Sequence, residues 1–120
     1  MQEGNYVADE YKIVLNGKAA HGRFDEMDKD PEISMLDEDS RTAMAICSEM
    51  AYKFKDGEWR KSLNNGKKFA DGPARNYKVE GDRIILYSAR GTPEGTVLIF
   101  RDGKIEESLG QVLSVYYKKK

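Results

Sequence analysis

The 120-residue chain has one cysteine, one histidine, one tryptophan and three prolines, and each scarcity closes off a class of protein. A single cysteine, Cys47, excludes an internal disulfide and fits either redox compartment; flanked by apolar residues, it reads as a small buried hydrophobe rather than a reactive thiol. His21 has no second histidine and no nearby cysteine, so a typical zinc site is excluded, and no serine or cysteine adjoins it as a nucleophile. Asp28, Asp30, Glu32 and Asp39 have the spacing of a calcium loop, but Ile33 stands at the glycine position and Pro31 intrudes. Gly91 and Gly95 lie in a turn with no helix pattern after them, so they do not form a phosphate cradle. No cofactor is therefore expected, and no enzymatic activity. Long hydrophobic runs are also missing. The longest, Ile84 to Tyr87 and Val97 to Phe100, have the length of a strand, not of a membrane span or signal-peptide core. Compartment is left open, since secretion or a cell-surface location with the export signal removed is compatible with this start.

What the sequence has in quantity is hairpins. AYKFKDGEWRKSL (51–63), NYKVEGDRIILYS (76–88) and TVLIFRDGKIEES (96–108) each run from apolar alternation into an Asp-Gly or Gly-Asp turn and back into alternation. Such two-residue turns match the twist of adjoining antiparallel strands. A fourth hairpin is signalled by Asn16-Gly17, between YKIVL (11–15) and the stretch from Lys18 to Phe24. Residues 25–39 are acidic and irregular. From Asp39 or Ser40 to Ala51, Ala43, Ile46, Cys47, Met50 and Phe54 fall at helical spacing behind N-capping residues, which with the Ala/Met content predicts one helix near 40–51; Met44, Ile46, Met50, Tyr52 and Phe54 also alternate as in a strand. Asn65-Gly66 and Asp71-Gly72-Pro73 mark a loop. Residues 1–120 read as one domain, large enough to bury a core of its own.

Register follows from the turns, because residues flanking a two-residue turn pair across the hairpin and partners share a face. This sets Phe54 opposite Trp59, Tyr52 opposite Lys61, Tyr77 opposite Leu86, Val79 opposite Ile84 and Phe100 opposite Ile105. Taking Gly110-Gln111 as another two-residue turn pairs Glu107 with Ser114 and Ile105 with Tyr116. The inner face so derived carries Tyr52, Trp59, Lys61, Tyr77, Glu107 and Tyr116. Trp59 reads first as a core aromatic. An inward charge needs a partner, water or a ligand, and a Lys61–Glu107 pair or a polar-lined cavity both meet that need. The outer face carries Ile85, Tyr87, Ile99, Leu113, Val115 and Tyr117, an apolar strip that calls for a cover: the 40–51 helix, a second subunit or a protein partner through Ile85, Ile99, Leu113 and Val115.

Charge is divided between the halves: residues 1–50 carry 12 acids and 5 bases, and residues 51–120 carry 9 acids and 15 bases. A basic meander face suits an acidic partner, including another copy's acidic segment. Lys53, Lys55, Arg60, Lys67, Lys68 and Lys78 follow no recognised nucleic-acid motif, so no nucleic acid is expected.

The order YKFKDGEW, a glycine-bearing loop, NYKVEGDRIILYS, RDGKIEES and a closing VLSVYYKKK over residues 50–120 resembles the small bacterial lipocalin-like proteins. Gly4-Asn5-Tyr6 is similar to the Gly-x-Trp that opens lipocalins, with tyrosine for tryptophan; the Arg-x-Tyr carboxylate clamp of fatty-acid-binding proteins is missing where Ser114-Val115-Tyr116 stands. The resemblance implies a calycin-type fold and an apolar ligand. The expected architecture is mainly β, an antiparallel up-and-down meander closed into a small barrel of about eight or nine strands. Its expected function is non-enzymatic binding of a small apolar or amphiphilic ligand in the barrel. The alternative is a protein-interaction module, an inhibitor or surface-protein domain, whose barrel is filled by its own side chains.

Overall fold

The computed structural model describes residues 1–70 and 72–120. Asp71, read above as part of a turn, lies outside the described residues. Among the described residues nine antiparallel strands form a nearly closed barrel: β1 (Gly4–Leu15), β2 (Lys18–Arg23), β3 (Ala51–Lys55), β4 (Glu58–Ser62), β5 (Tyr77–Glu80), β6 (Arg83–Tyr87), β7 (Pro93–Arg101), β8 (Lys104–Leu109) and β9 (Leu113–Lys119). Their lateral order is β4-β3-β1-β9-β8-β7-β6-β5, with β2 added to β1. A bridge between Glu58 and Asn76, with the Trp59 amide donating to the Arg75 carbonyl at 2.9 Å, draws β4 toward β5 across the remaining gap.

Three of the turns take the two positive φ angles that fit the strand twist: Asn16 and Gly17 at 51° and 77°, Asp56 and Gly57 at 54° and 76°, Asp102 and Gly103 at 52° and 76°. Their hairpins pair as expected, with Phe54 opposite Trp59, Tyr52 opposite Lys61 and Phe100 opposite Ile105. The hairpin of β5 and β6 also follows the expected register.

The last hairpin does not. Gly110, Gln111 and Val112 form a three-residue loop, so Leu109 pairs with Leu113, Glu107 with Val115 and Ile105 with Tyr117. A slip of one residue turns every side chain of a strand over. Val115 and Tyr117 therefore point inward, both 0% exposed, and Tyr116 points outward. Leu113 packs against the core.

β1 is long enough to serve two neighbours on one side, pairing with β3 through Gly4–Val7 and with β2 through Glu10–Leu15. A bulge between Ala8 and Glu10 re-aims the strand, so that Tyr6 faces in before it and Tyr11 and Ile13 face in after it. Asp9 and Glu10 are left on the outside.

Between β2 and β3 the chain makes a 3-10 turn (Phe24–Lys29), a short helix α1 (Pro31–Ser34) and a longer helix α2 (Glu38–Ser48). The Asp37 carboxylate caps α2 by accepting the Ser40 amide at 2.7 Å. Both patterns read in 40–54 are present in sequence order. The helical one ends at Ser48 and takes in Met44 and Ile46; the rest of the alternating one leads into β3, with Met50 just before the strand and Tyr52 and Phe54 within it, all three buried. The calcium-like spacing folds as the 3-10 turn and α1, with Asp30 accepting from the Glu32 amide and from Tyr11 Oη.

Helix α2 does not cover the outer strip. Its Met44 and Cys47 join the core cluster with Ile33, Phe24 and the inward residues of β1, so the helical segment lies over one end of the barrel. With Leu113, Val115 and Tyr117 turned inward, the outer strip shrinks to Ile85, Tyr87 and Ile99, which are half-buried. Lys78 pairs with Ile85, and Arg83 and Glu106 pair with Ile99. Long side chains of this kind shield apolar neighbours with their aliphatic stems. Among the described residues, no helix is long and apolar enough to cross a membrane.

Candidate functional site

Four of the six residues expected on the inner face meet inside the barrel. Tyr52 on β3 donates its phenol to Glu107 Oε2 on β8 at 2.9 Å, and Lys61 on β4 sets its ammonium 3.9 Å from the same oxygen. The Lys61 ammonium also lies 5.3 Å from the centre of the Tyr52 ring. Trp59, next inward on β4, has its ring 6.3 Å from that of Tyr52 and donates Nε1 to the Tyr87 carbonyl at 2.9 Å. The place expected for Tyr116 is taken by Tyr117, whose phenol donates to Glu107 Oε1 at 2.6 Å. Tyr52 and Tyr117 also touch each other, ring centres 5.2 Å apart, edge to face.

This geometry sets the protonation states. Burial, with the Glu107 carboxylate beside each phenol, raises the pKa of both Tyr52 and Tyr117 well above the ordinary tyrosine value of 10.0. The two phenols stay neutral and donate. Cys47, 7% exposed on α2, has its thiol pKa raised chiefly by burial and then by Glu107, so it is a protonated packing residue and not a thiolate nucleophile.

The other two expected residues lie elsewhere. Tyr77 packs edge-on against Phe54 at 4.9 Å and donates to Glu3 Oε2 at 2.6 Å. Glu3 also accepts the Asp56 and Gly57 amides at 3.0 and 2.9 Å, which ties the N-terminal segment to the β3–β4 turn. Those hydrogen bonds, the Tyr77 phenol first, lower the Glu3 carboxyl below its ordinary value. Tyr116 is outside, stacked on His21 with ring centres 5.5 Å apart.

Two residues of the inner cluster were not found by sequence reasoning. Tyr117 was missed because the loop after β8 is one residue longer than the turn assumed; Gly110, at φ 71°, suits either length. Arg75 sits in a loop with no periodicity to aim it, yet its guanidinium lies 3.8 Å from the centre of the Trp59 ring.

The barrel interior is occupied. Tyr6, Tyr11, Tyr52, Phe54, Ile84, Leu86, Leu98, Ile105, Val115 and Tyr117 are each 2% exposed or less. Among the described residues no buried side-chain nitrogen or oxygen lacks a hydrogen-bond partner. Clefts lie at the surface instead. One of about 290 Å³ runs between the β1–β2 hairpin and α1, bordered by Ile13, Leu15, Ala20, Met35 and Leu36. A smaller one of about 140 Å³ adjoins it beneath α2, sharing Ile13, Leu15 and Leu36. Around them Val14, Leu15, Met35 and Val112 are exposed, Met35 at 82%. Comparison with protein-family models, curated proteins and solved structures finds no match.

Proposed function

We propose that the chain is a non-enzymatic protein-interaction module: a lipocalin-like barrel filled by its own side chains, acting through the surface at its helix-bearing end. The observation that carries this reading is the state of Glu107. Its two oxygens accept from Tyr52 and Tyr117, and Lys61 stands beside one of them. A ligand entering the barrel has to displace those partners as well as the aromatic rings around them, and receives no unpaired donor or acceptor in return. The helix-bearing end differs, with apolar side chains left in water beside two clefts.

The test is occupancy. Native mass spectrometry of the purified protein should give the mass of the chain alone or of a whole-number oligomer. Fatty acids, retinoids and apolar dyes should leave Trp59 emission unchanged. A stoichiometric co-purified lipophile, or saturable quenching of Trp59, overturns the reading.

One observation favours a second reading, an amphiphile held in the barrel mouth. The Lys61 side chain is 33% exposed and spans the distance from solvent to Glu107, so its ammonium is placed to exchange that carboxylate for a ligand's. On this reading Lys61→Met weakens binding of a lipophilic acid more than binding of the matching alcohol; equal losses remove Lys61 from the site.

A further inference from the structure

β2 is the one strand of the β1–β2 hairpin with a free side, and its free side borders the larger cleft. It pairs with β1 alone among the described strands, in the register Leu15–Lys18 through Glu10–Arg23. Residues flanking a two-residue turn exchange both backbone hydrogen bonds, and pairs then alternate along an antiparallel ladder. Lys18, Ala20 and Gly22 therefore direct their amides and carbonyls at β1, while Ala19, His21 and Arg23 direct theirs outward. Ala19, His21 and Arg23 are exposed. An open row of this kind is a template for another strand, and natural edges are blunted by proline, charged side chains, an inward charge, short length or a covering element. β2, with the sequence KAAHGR, has no proline; its two charged side chains, Lys18 and Arg23, stand at its ends, and the His21 ring at its centre is turned onto Tyr116.

Gly22 explains part of that smallness. A Cβ there would come within 2.6 Å of Tyr11 Oη, which reaches past it to Asp30. Ala20 pairs with inward-facing Ile13 and lines the cleft with Met35 and Leu36. A strand added to β2 places every second side chain over that apolar cleft.

We propose that β2 is a docking edge for an extended peptide segment that is apolar at alternate positions and basic between them, bound as an additional strand. The inference rests on the interaction-module reading and names its site and partner class. The unpaired backbone selects an extended partner, and the cleft selects alternate apolar side chains. Charge selects the sign. Residues 25–39, which cover this end, hold eight acids and one base, and the cleft itself is lined by one acid, Glu32, and one base, Lys18. Of the bases nearby, Arg23 is already held by Asp25 at 3.0 Å, and Lys12, Lys18 and Lys29 are outnumbered. A second copy is a poor occupant: antiparallel pairing of two β2 edges sets outward residues opposite outward residues, so the central register puts His21 opposite the other copy's His21 and brings a second acidic 25–39 segment to an end that is already acidic.

The experiment is an amide-resolved NMR titration of the full chain. The probes are synthetic peptides with valine at alternate positions and lysine, serine or glutamate between. The lysine series should shift the Ala19, His21 and Arg23 amides and slow their hydrogen exchange, and the glutamate series should bind about tenfold more weakly or worse. Ala19→Pro removes an outward amide while keeping the residue on an edge, where proline is tolerated; it should weaken the lysine series by about tenfold or more with the rest of the spectrum intact. If Ala19→Pro perturbs folding, Glu32→Lys serves instead and should abolish the preference for lysine over glutamate. The proposal is overturned if no peptide perturbs β2, if the Ala19→Pro protein binds equally well, or if the free protein is a dimer with the β2 amides already protected. A silent β2 combined with an empty barrel removes only this proposal; a lipophile in the barrel removes the reading beneath it.

Discussion

β8 and β9 take part in a carboxylate cluster on each side of the sheet, and the two clusters solve the same problem differently. On the inside, Glu107 is met first by two phenols, at 2.9 and 2.6 Å, with the Lys61 ammonium farther off at 3.9 Å. On the outside, Asp9 and Glu10 from β1 are met by ammonium groups: Lys104 contacts both, and Lys118 lies 3.4 Å from Asp9. His21 stands 3.7 Å from Glu10 and stacks on Tyr116. Where water is excluded, the partners are neutral donors that can be buried at little cost; where water is present, they are point charges whose mutual attraction is screened. One sheet thickness separates a cluster that organises the core from one that decorates the surface.

The largest contrast should come from removing the central carboxylate of each cluster. Glu107→Ala leaves the Tyr52 and Tyr117 hydroxyls, in residues 2% and 0% exposed, without acceptors. At about 1–3 kcal/mol for each stranded donor, the loss should be about 2–6 kcal/mol. Asp9→Ala should lose less than about 1 kcal/mol. Urea denaturation reads both as a shift in midpoint at constant slope. Comparable losses in the two variants would mean that the inner network does not hold the core together.

Next in size is a pair of neighbouring residues on opposite faces. Tyr117→Phe removes a buried hydrogen bond to a charged acceptor and should destabilise by about 1.5–3 kcal/mol. Tyr116→Phe should stay within about 0.5 kcal/mol, as surface substitutions do. The reverse result would return β9 to the register that a two-residue turn at Gly110-Gln111 implies.

That pair also marks the limit of what the sequence made legible. The three hairpins whose turns are spelled Asp-Gly or Gly-Asp could be registered from the turn outward, and they brought Tyr52, Trp59 and Lys61 correctly to the inner face. Gly110-Gln111-Val112 has no such spelling. Glycine at its start suits loops of two or three residues, and the difference moved Val115 and Tyr117 in and Tyr116 out. The bulge at Asp9 was hidden for a related reason: an acid beside Glu10 looks like an ordinary solvated face until Lys104 and Lys118 are folded against it. The first half of β1 was missed because GNYVADE alternates weakly. The helix expected near 40–51 lies within three residues of α2 (Glu38–Ser48) but covers a different surface, since periodicity identifies a buried face without saying what buries it. Tyr77 was correctly put on an inward face, yet its partner, Glu3, is 74 residues away, a separation that no local pattern encodes.

A subtler contrast concerns alkaline pH. Tyr52 and Tyr117 have pKa values raised in the folded state, so their contribution to stability is present in full below the ordinary value of 10.0 and is lost as pH rises above it. There the unfolded chain releases phenol protons that the folded chain retains, and stability must fall. Tyrosinate absorbance from these two should appear only with unfolding. In Tyr117→Phe the decline above pH 10 should be shallower by one proton, about 1.4 kcal/mol per pH unit. An unchanged slope would mean that Tyr117 already ionises in the folded protein.

The smallest expected effect is a response to salt. Asp9 is the most protected acid of the outer cluster, its side chain 12% exposed between Lys104 at 3.6 Å and Lys118 at 3.4 Å. Asp9→Asn keeps the shape and removes the charge, so the loss should be below about 1 kcal/mol and should shrink toward zero at 1 M salt, where the screening length is about 3 Å. Glu107→Gln makes the same isosteric change inside, where ions do not enter, and its loss should be the same at low and high salt. If Asp9→Asn proves insensitive to salt, the bulge has drawn Asp9 out of reach of mobile ions, and the outer cluster belongs with the inner one as part of the fold's interior. If both losses fall with salt, water and ions reach Glu107, and the barrel mouth beside Lys61 is open enough to admit a charged ligand.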